Sequence, residues 1–399
     1  MRILIVHREY PPETGWGGIA TFNYHLAKGL MAIGHEVDVL SFNYGAPSDR
    51  VVEDVRVKRI TSKMKRLPWE GSLGTYFWSY QRQIGKIFLA MHRERKYDVV
   101  DCADHLGEGY SIIRSGRVAT TLRFFSPWSW VSSQKLNLSE RWYDIALIKW
   151  IEKRSAQGAH HLTCPSQDLA TRVTEFFGLR RPIEIIPNPI DIQRFAPQDE
   201  LPDSPVRVLF AGRLEPRKGP DILLKAIPLL CRKVPDIRFT FLGADCPTPT
   251  SPSFKAEAEL FISRNHLDQC VAFKDPVPLI SLPKEYNAVH IVVVPSRYDT
   301  SPYVCQEAMA CGRAVVGTTS GGMPEYLDQG EAGLLIPPED PAALADAIVR
   351  LAQQPQLRRQ LGVAARRRVE QLYDRNAIAR RTSALYETAI QNWHRGIAG

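Results

Sequence analysis

Two carboxylates lie eight positions apart in residues 295–325, which read PSRYDTSPYVCQEAMACGRAVVGTTSGGMPE. Asp299 falls in a loop after an apolar strand, and Glu307 falls in the early turns of a helix expected to begin near Pro302 and Tyr303. The free N–H groups of that helix start can hold an anionic or hydroxyl-rich ligand. A carboxylate only accepts hydrogen bonds, so the pair suits the vicinal hydroxyl groups of a ribose or a hexose. The alternative for Glu307 alone is a carboxylate that offsets the helix dipole.

Basic residues follow another predicted strand, in the segment FAGRLEPRKG at residues 210–219. Gly212 lets the chain turn tightly, while Arg213 and Lys218 project from the loop at the strand end, with Arg217 beside them. Arginine can fork onto two phosphate oxygens and lysine adds a point charge, so the loop suits a diphosphate. The same cations would stabilise the negative charge that grows on a departing nucleotide. The alternative is an exposed basic turn that binds nothing.

Glycines are concentrated between the first strand and the first helix, in the segment PPETGWGGI at residues 11–19. Gly15, Gly17 and Gly18 allow the backbone to approach a ligand at the helix start. Their spacing differs from the G-x-G-x-x-G pattern of dinucleotide-binding folds, so a NAD-dependent dehydrogenase is the least favoured class. The alternative is a flexible surface turn.

These residues must be positioned by short β-branched runs that alternate with amphipathic segments. A predicted helix at Gly18–Ile33 separates the first two strands, which makes a β-α-β unit and therefore a parallel sheet. The first series of predicted strands comprises Arg2–His7, Glu36–Ser41, Tyr97–Cys102, Val118–Leu122 and His161–Pro165.

A second series follows a break rich in proline and acid at Phe195–Pro205. Its predicted helices include Asp221–Leu230 and Val304–Met309, and its predicted strands are Val206–Phe210, Arg238–Leu242, Val271–Phe273, His290–Val294, Ala314–Val316 and Gly333–Ile336. Two such series predict an α/β protein with two Rossmann-like, doubly wound domains that face a cleft, where ligands bind beyond the carboxyl ends of the strands. We place the domains at residues 1–190 and 191–374, and expect residues 375–399 to form a helix that packs back on the first domain.

Length and composition agree with a two-domain globular protein, since the chain has 399 residues, of which 44% are hydrophobic. The seven cysteines form no C-x-x-C pair, and no apolar run is long enough to span a bilayer or to act as a secretory signal. We therefore expect a cytoplasmic protein without a structural metal site. Residues 1–190 carry 26 Lys and Arg against 19 Asp and Glu, within a net charge of +8 for the chain. That excess suggests an anionic partner for the first half, and the alternative is a solvated basic surface.

Taken together, these segments resemble glycosyltransferase family 4, the group 1 glycosyltransferases with the GT-B fold. The resemblance covers nearly the whole chain, in family order. It rests on the Gly-rich loop, GRLEPRKG, a D-x7-E version of the family's E-x7-E motif, EAMACG, GGMPE, and PNPIDIQRF at Pro187–Phe195 in place of the family's PNGVD segment.

The resemblance implies a retaining, metal-independent glycosyltransferase without a cofactor, with an acceptor-binding first domain and a donor-binding second domain. The donor would be a UDP-, GDP- or ADP-sugar, and the acceptor a glycan, a lipid-linked sugar or a small molecule. Arg213 and Lys218 would bind the donor diphosphate, Glu307 the nucleotide ribose, and Asp299 with its loop the donor sugar. The full set of predicted donor-binding residues is Gly17, Gly18, Gly212, Arg213, Lys218, Asp299, Ser301, Pro302, Tyr303, Val304 and Glu307.

The chain departs from the family pattern at several positions. Asp299 is one methylene shorter than the commoner glutamate, Pro302 and Pro189 replace glycines, and Pro302 supplies no N–H, so Tyr303 or Val304 must donate instead.

The family's active-site histidine is also missing, because its expected position after the strand holds Ala103. Asp104 and His105 follow, and we expect one of them to assist the acceptor or the donor sugar. The alternative for Asp104 is a cap on a helix that begins near Leu106. Arg123 replaces the histidine often found after the next strand and is a third candidate on the acceptor side. The predicted catalytic set is therefore Asp299, Glu307, Arg213, Lys218 and His105.

Basic residues precede aromatic ones in Arg56–Phe88. They are Arg56, Lys58, Arg59, Lys63, Lys65 and Arg66, followed by Trp69, Tyr76, Phe77, Trp78 and Tyr80. Such a segment suits a peripheral contact with the inner face of a membrane or an anionic acceptor. The alternative is a mobile loop followed by a helix packed on the domain, with Phe77, Trp78, Ile84 and Phe88 in the core.

Two other functions remain open at this stage. A sugar-nucleotide epimerase or hydrolase can share the two-domain fold, but it needs acid and base residues on both sides of the sugar, and no such set is evident. A non-catalytic nucleotide-sugar-binding subunit would explain the missing histidine, although Arg213, Lys218 and Glu307 are intact. No motif supports nucleic-acid binding.

Overall fold

The computed structural model describes residues 1–14, 17–42, 45–61, 73–134, 142–198 and 200–397, and for residues 73–79, 134, 142 and 397 it describes the backbone alone. The chain divides into two compact units. Unit 1 contains Met1–Pro189 together with Arg375–Gly399, and unit 2 contains Ile190–Asp374. Each unit is built on a largely parallel sheet, which confirms the prediction of an α/β protein with two parallel-sheet domains.

The strands of unit 1 are β1 (Arg2–Val6), β2 (Glu36–Phe42), β3 (Ser48–Val52), β4 (Val55–Ile60), β5 (Val99–Ala103), β6 (Ala119–Arg123), β7 (His161–Cys164) and β8 (Glu184–Ile185). They form one sheet in the order β3-β4-β2-β1-β5-β6-β7-β8, in which only the β3–β4 pair is antiparallel among the described strands. The central strands β5 and β6 are buried along their whole length, as expected for a sheet that is covered on both faces.

The helices of unit 1 that precede the second unit are α1 (Gly18–Ala32), α2 (Leu73–Arg95), α3 (Tyr110–Ser115), α4 (Trp128–Gln134), α5 (Trp142–Gly158) and α6 (Gln167–Phe177). Helix α1 ends one residue before the predicted Ile33 and buries Phe22, Leu26 and Leu30, three of the residues whose helical spacing predicted it.

Unit 2 contains the strands β9 (Val206–Ala211), β10 (Ile237–Leu242), β11 (Val271–Lys274), β12 (Ile291–Val294), β13 (Ala314–Thr318) and β14 (Leu334–Ile336). Its helices are α7 (Pro220–Lys233), α8 (Phe254–Arg264), α9 (Leu282–Asn287), α10 (Tyr303–Ala310), α11 (Met323–Tyr326), α12 (Pro341–Gln353) and α13 (Pro355–Leu372). The sheet is parallel throughout its described pairs, in the order β11-β10-β9-β12-β13-β14. The order reverses between β9 and β12, so the crevice where such sheets bind ligands opens at the carboxyl ends of these two strands.

The last helix, α14 (Arg375–Ile397), belongs to unit 1. It packs on α1, where a Cβ atom on Gly29 would lie only 2.8 Å from the carbonyl oxygen of Arg375. It also reaches the sheet, because the Tyr386 hydroxyl donates a hydrogen bond of 2.6 Å to the buried Asp101. Unit 1 is therefore completed by residues from both ends of the chain.

Strands β3 and β4 were not predicted, and they change the interpretation of the basic segment that begins at Arg56. Arg56 bonds Asp49 and Glu94, and Lys58 also bonds Asp49. Arg59 is buried and bonds backbone carbonyls within the unit. These three cations have partners inside unit 1 and lie on strand β4, so the predicted mobile loop is wrong for this part of the segment. The surroundings of these residues give no support to the predicted membrane contact.

The rest of the basic and aromatic segment is described only in part. Tyr80, Ile84 and Phe88 are buried core residues of α2, as the alternative of a packed helix required. Lys63, Lys65, Arg66 and Trp69 lie outside the described residues, as do the side chains of Tyr76, Phe77 and Trp78. In the part of the chain that the structure describes, no helix is both long and apolar enough to cross a bilayer.

Candidate functional site

The loop between β9 and α7 is shaped by glycine. Gly219 has a φ of 71°, in the left-handed region, and a Cβ atom there would lie 2.1 Å from the carbonyl oxygen of Pro295. Only glycine lets this loop lie against the residue that follows β12. Lys218, which ends a short 3-10 turn just before Gly219, is thereby placed beside the loop that leads to α10.

Lys218 and Asp299 form an ion pair across these two loops, 81 positions apart in sequence. Arg217 adds a second positive charge, with its Nη1 atom 3.8 Å from the Asp299 carboxylate. Burial alone would raise the pKa of Asp299, but Lys218 and Arg217 outweigh it and hold that pKa below its ordinary value. Asp299 is therefore charged at neutral pH and faces the cation predicted to bind a diphosphate.

The segment GGMPE, at residues 321–325, contacts the backbone of the Asp299 loop. The N–H of Gly322 donates a hydrogen bond of 2.9 Å to the carbonyl oxygen of Asp299, and a Cβ atom on Gly321 would lie 2.1 Å from that same oxygen. Ser301 is fixed too, since its hydroxyl lies 2.5 Å from the Tyr326 hydroxyl at the end of α11. The loop that carries two predicted donor-binding residues is thus held by the element that follows β13.

Helix α10 begins directly after Pro302, which stands at its N-cap position, and it presents Tyr303 and Val304 in its first turn. Glu307, one turn later, is only 4% exposed. Its Oε2 atom accepts a hydrogen bond of 2.6 Å from the hydroxyl of Tyr286, and burial raises the pKa of Glu307 to about 7. Glu307 is thus enclosed within unit 2 and bonded by a phenol from helix α9.

Arg213 and Gly212 lie on the same loop as Lys218 but play different parts in the unliganded protein. Gly212 has a φ of 137°, so its turn requires glycine. The Arg213 side chain is 61% exposed and its guanidinium lies 3.2 Å from Glu215. The structure therefore brings Lys218 and Asp299 together, and it leaves Arg213 on the surface of the loop.

The sequence analysis gave no role to Arg297, which joins the two loops. Its Nη1 and Nη2 atoms donate to the two carboxylate oxygens of Asp221 at 2.9 and 2.8 Å, and its Nε atom donates to Glu339 at 2.8 Å. Asp221 lies in the first turn of α7, directly after the basic loop. An acidic residue at that position could have suggested a basic partner at the end of β12, because neighbouring parallel strands end at the same edge.

In unit 1, the Gly-rich loop connects β1 to α1, and Gly15 and Trp16 lie outside the described residues. A Cβ atom on Gly17 would lie 2.9 Å from the carboxylate of Glu9, whereas one on Gly18 would meet nothing within 4 Å. The buried guanidinium of Arg59 holds the base of the loop by donating to the carbonyl oxygens of Tyr10 and Pro11. The Glu9 side chain is flexible and could move away from a Cβ atom at position 17, so packing does not require glycine at either position, and the predicted roles of Gly17 and Gly18 at the ligand stay predictions.

The surroundings of Asp104 show whether this residue caps a helix. Asp104 is buried, and its Oδ1 atom accepts a hydrogen bond of 3.2 Å from the Phe125 N–H. It makes no side-chain cap bond to the 3-10 turn at His105–Gly107, and Leu106 has a φ of 58°, so the helix expected near Leu106 begins only at Tyr110. The cap interpretation is therefore wrong.

Burial also changes the chemistry expected of this pair. It raises the pKa of Asp104 well above its ordinary value, with a further contribution from the charge of Glu152. It lowers the pKa of His105 to about 4. Its imidazole is therefore neutral at neutral pH and can still bond a hydroxyl group.

Arg123 lies inside unit 1 rather than on its surface. The residue is 1% exposed, its Nη2 atom lies 3.2 Å from Asp101, and its guanidinium stacks over the Phe22 ring at 4.7 Å. A guanidinium in this position neutralises the buried carboxylate of Asp101. The candidate role for Arg123 on the acceptor side thus finds no support in its surroundings.

Comparison with known proteins adds a family and a fold. The family model described as Glycosyl transferases group 1 matches residues 205–354, and the one described as Glycosyltransferase Family 4 matches residues 16–194. Among curated relatives, a D-inositol 3-phosphate glycosyltransferase of Streptomyces bingchenggensis is 28% identical over 61% of this chain and 56% of its own length. A glycogen synthase of Mycobacterium tuberculosis is 28% identical over 98% of this chain and 95% of its own. The chain thus spans little more than half the length of some of the curated relatives that it matches.

Solved structures resemble the whole chain. Sucrose-phosphate synthase from Thermosynechococcus elongatus aligns with a TM-score of 0.79 and 23% identity, over 97% of this chain and 98% of that one. HepE from Anabaena, in complex with UDP, aligns with a TM-score of 0.75 and 18% identity, over 97% and 100% of the two chains. These likenesses show the GT-B fold.

Proposed function

Because the chain belongs to the group 1 glycosyltransferases, we propose that it transfers a sugar from a nucleoside diphosphate donor to an acceptor hydroxyl group, with retention of configuration at the anomeric carbon. The observation that supports this proposal best is the meeting of Lys218 with Asp299 at the carboxyl ends of β9 and β12. A cation and a hydroxyl-binding carboxylate at that edge match the two chemical parts of a nucleotide sugar.

Each residue of this edge then has a separate task. Lys218 binds the diphosphate as a point charge, and Arg213, whose side chain is 61% exposed, adds a forked contact. Glu307 accepts hydrogen bonds from the ribose, and Asp299 binds the donor sugar once a phosphate has taken its place beside Lys218. The N–H groups of Tyr303 and Val304 at the start of α10 face the negative charge.

The transfer step follows from these contacts. The bond between the anomeric carbon and the phosphate oxygen breaks, the acceptor oxygen bonds to the same face of that carbon, and the acceptor proton passes to the departing phosphate. Lys218 and Arg213 stabilise the charge that grows on the leaving group. A double displacement would require a carboxylate beneath the anomeric carbon, and the sequence offers no clear candidate for it.

HepE was solved with UDP and with UDP-glucose, which makes a UDP-sugar the first donor to test. The relatives are named for acceptors and products as different as inositol phosphate and glycogen, so a glycan, a lipid-linked sugar and a small molecule all stay within the proposal. Metal independence and a cytoplasmic location also belong to the proposal.

A thermal-shift panel tests donor binding. UDP, GDP and ADP should each be added to the protein, and we expect one of them to raise the melting temperature, because a ligand that binds only the folded state stabilises it. The same ligand should fail to stabilise Lys218→Ala. Lys233→Ala is the matched control, because Lys233 lies at the far end of α7 in a surface ion pair with Asp346. If no nucleoside diphosphate stabilises the wild type, the proposed donor site is wrong.

Transfer itself can be followed by NMR. Wild-type protein with the matching nucleotide sugar should release nucleoside diphosphate in the presence of an acceptor, or slowly to water, and the first sugar product should keep the donor's anomeric configuration. Donor binding without any turnover across an acceptor panel would instead support the non-catalytic binding subunit, the reading favoured by Ala103 at the expected histidine position. Inverted product would contradict retention.

A further inference from the structure

A buried phenol in unit 2 touches the carboxylate to which the proposed function assigns the ribose. Tyr286 lies on α9, a six-residue helix that precedes β12, and it is 1% exposed. Its hydroxyl donates a 2.6 Å hydrogen bond to the Oε2 atom of Glu307 on α10, 21 positions later. The contact joins two helices across the core, and neither the motifs nor the donor-site set included Tyr286.

We propose that Tyr286 is a positioning residue for the donor site: its hydroxyl fixes the Glu307 carboxylate and keeps it ionised, so that the other oxygen can accept a hydrogen bond from the nucleotide ribose. The inference rests on the proposed function of the Glu307 site. It goes beyond that proposal because it assigns nucleotide recognition to a residue that does not itself reach the ligand.

The geometry of the contact favours this role over simple packing. Tyr286 engages Oε2, which leaves Oε1 as the oxygen for a ligand. The phenol acts as the donor, because burial and the neighbouring Glu307 raise the pKa of Tyr286 well above its ordinary value and keep its proton in place. Both groups are buried, and the carboxylate depends more on the bond than the phenol does, because burying an unpaired charge costs more free energy than burying an unpaired hydroxyl.

Helix α9 is well placed to hold the phenol still. The side chain of Asn287 accepts a hydrogen bond of 3.1 Å from the Gln198 N–H and donates one of 2.9 Å to the carbonyl oxygen of Ala196. Glu285 pairs with Lys274 at the end of β11, at 2.7 Å. The Tyr286 ring also packs beside Phe195, with 6.2 Å between ring centroids. The bond to Glu307 therefore comes from a helix anchored on both of its sides.

Charge explains why the bond matters for binding. Burial raises the pKa of Glu307 to about 7, and the bond from Tyr286 opposes that rise because it favours the ionised form. The Cys311 thiol at the end of α10 interacts with Glu307, with Tyr286 and with the Arg366 guanidinium of α13, and the Cys305 thiol of α10 lies near Tyr286. Arg366 itself donates to the Ala310 carbonyl at 2.7 Å. Without the phenol, Glu307 takes up a proton at a higher pH and loses its capacity as an ionised acceptor.

The test is the pH dependence of nucleotide binding in Tyr286→Phe, which keeps the ring and removes the hydroxyl. Binding of UDP, or of GDP or ADP if the thermal-shift panel favours one of them, should be measured by calorimetry between pH 5.5 and about 9, a range that brackets an ordinary and a raised carboxyl pKa. We expect the affinity of the wild type and of Tyr286→Phe to fall as the pH is lowered. The pH at the midpoint of that fall should be about one unit higher in the variant. Tyr373→Phe removes another buried hydroxyl from the same core cluster and should leave the midpoint unchanged.

A second pair of variants separates positioning from folding. In a Glu307→Gln background, where there is no carboxylate to ionise, adding Tyr286→Phe should change affinity less than about twofold. An equal loss in both backgrounds, or a midpoint in Tyr286→Phe that coincides with the wild type, would overturn the positioning role and leave the proposed function standing. A wild type that binds no nucleoside diphosphate would instead overturn the proposed function itself.

Discussion

At the scale of single residues, the ion pair between Lys218 and Asp299 is the most informative feature of the unliganded protein. The Asp299 carboxylate pairs with Lys218, the residue that the proposal assigns to the diphosphate. In the proposed function, nucleotide binding exchanges one anionic partner of Lys218 for another. Asp299 would hold the lysine in the site before the donor arrives and would then bind the sugar.

This exchange gives an unusual prediction for Asp299→Asn. The variant removes a negative charge from beside the diphosphate, so the affinity for free nucleoside diphosphate should stay equal or rise, by up to about 1 kcal/mol. Sugar transfer should fall, because the amide is a weaker partner for the sugar hydroxyls. Calorimetry and a turnover assay measure the two effects. Asp346→Asn, which breaks the surface pair with Lys233, is the control, and a clear loss of diphosphate affinity in Asp299→Asn would contradict the exchange.

At the scale of elements, glycine at position 219 allows the β9–α7 loop to approach the end of β12. Gly219→Ala should destabilise unit 2, because it combines a left-handed backbone with a Cβ atom 2.1 Å from the Pro295 carbonyl oxygen. Gly116→Ala is a matched control, since Gly116 has a similar φ of 62° but no atom within 4 Å of its Cβ position. In chemical denaturation, Gly219→Ala should lower the free energy of unfolding by at least ~1 kcal/mol more than the control does. Equal losses would show that the loop can move away.

The C-terminal helix α14 is joined to the sheet of unit 1 by the bond from Tyr386 to Asp101. Burial alone would raise the pKa of Asp101, but Arg123 and His7 outweigh it and lower that pKa to about 2. Tyr386→Phe should reduce the free energy of unfolding by about 1–3 kcal/mol at neutral pH, because it removes a donor from a buried charge.

The sign of the pH dependence follows from that lowered pKa. Ionised Asp101 contributes stability above its unfolded pKa of roughly 3.9 and loses it as the pH falls towards 2. The difference between wild type and Tyr386→Phe should therefore be constant above pH 5 and shrink in acid, as measured by denaturation at several pH values. A difference that stays constant down to pH 2 would mean that Tyr386 acts through packing alone.

At the scale of the whole molecule, the two-domain fold could be predicted from the sequence, because buried parallel strands are continuous apolar runs. Strands β3 and β4 were missed because they lie at one edge of the sheet and contain few apolar residues in a row. β3 is mostly polar and exposed, and β4 alternates apolar residues with charged ones such as Arg56 and Lys58. Spacing within a motif predicted that Asp299 and Glu307 point to one site. It could not give partners that lie far away in sequence, so the bond from Tyr286 to Glu307 emerged only from the fold.

The missing histidine shows a second limit of sequence reasoning. Asp104 and His105 do follow β5, as predicted, but their titration depends on burial that no local pattern reveals. Burial moves the pKa of His105 to about 4, far from the neutral value that the residue type suggests.

A prediction for the whole enzyme concerns metal ions. We expect turnover to persist in EDTA, because the cations Lys218 and Arg213 are assigned to the charge on the leaving group. The assay compares initial rates before and after chelation. A complete loss of turnover that magnesium or manganese restores would contradict the metal-independent proposal.

The central claim is that the edge of unit 2 at β9 and β12 binds the donor diphosphate. Its most direct test is calorimetric titration of the stabilising nucleoside diphosphate into the wild type, Lys218→Ala, Arg213→Ala and the control Lys233→Ala. We predict that Lys218→Ala weakens binding by about 1.5–3 kcal/mol. Arg213→Ala should weaken it by a similar or slightly smaller amount, and Lys233→Ala should bind like the wild type. Unchanged affinity in both Lys218→Ala and Arg213→Ala would contradict the claim and place the diphosphate elsewhere.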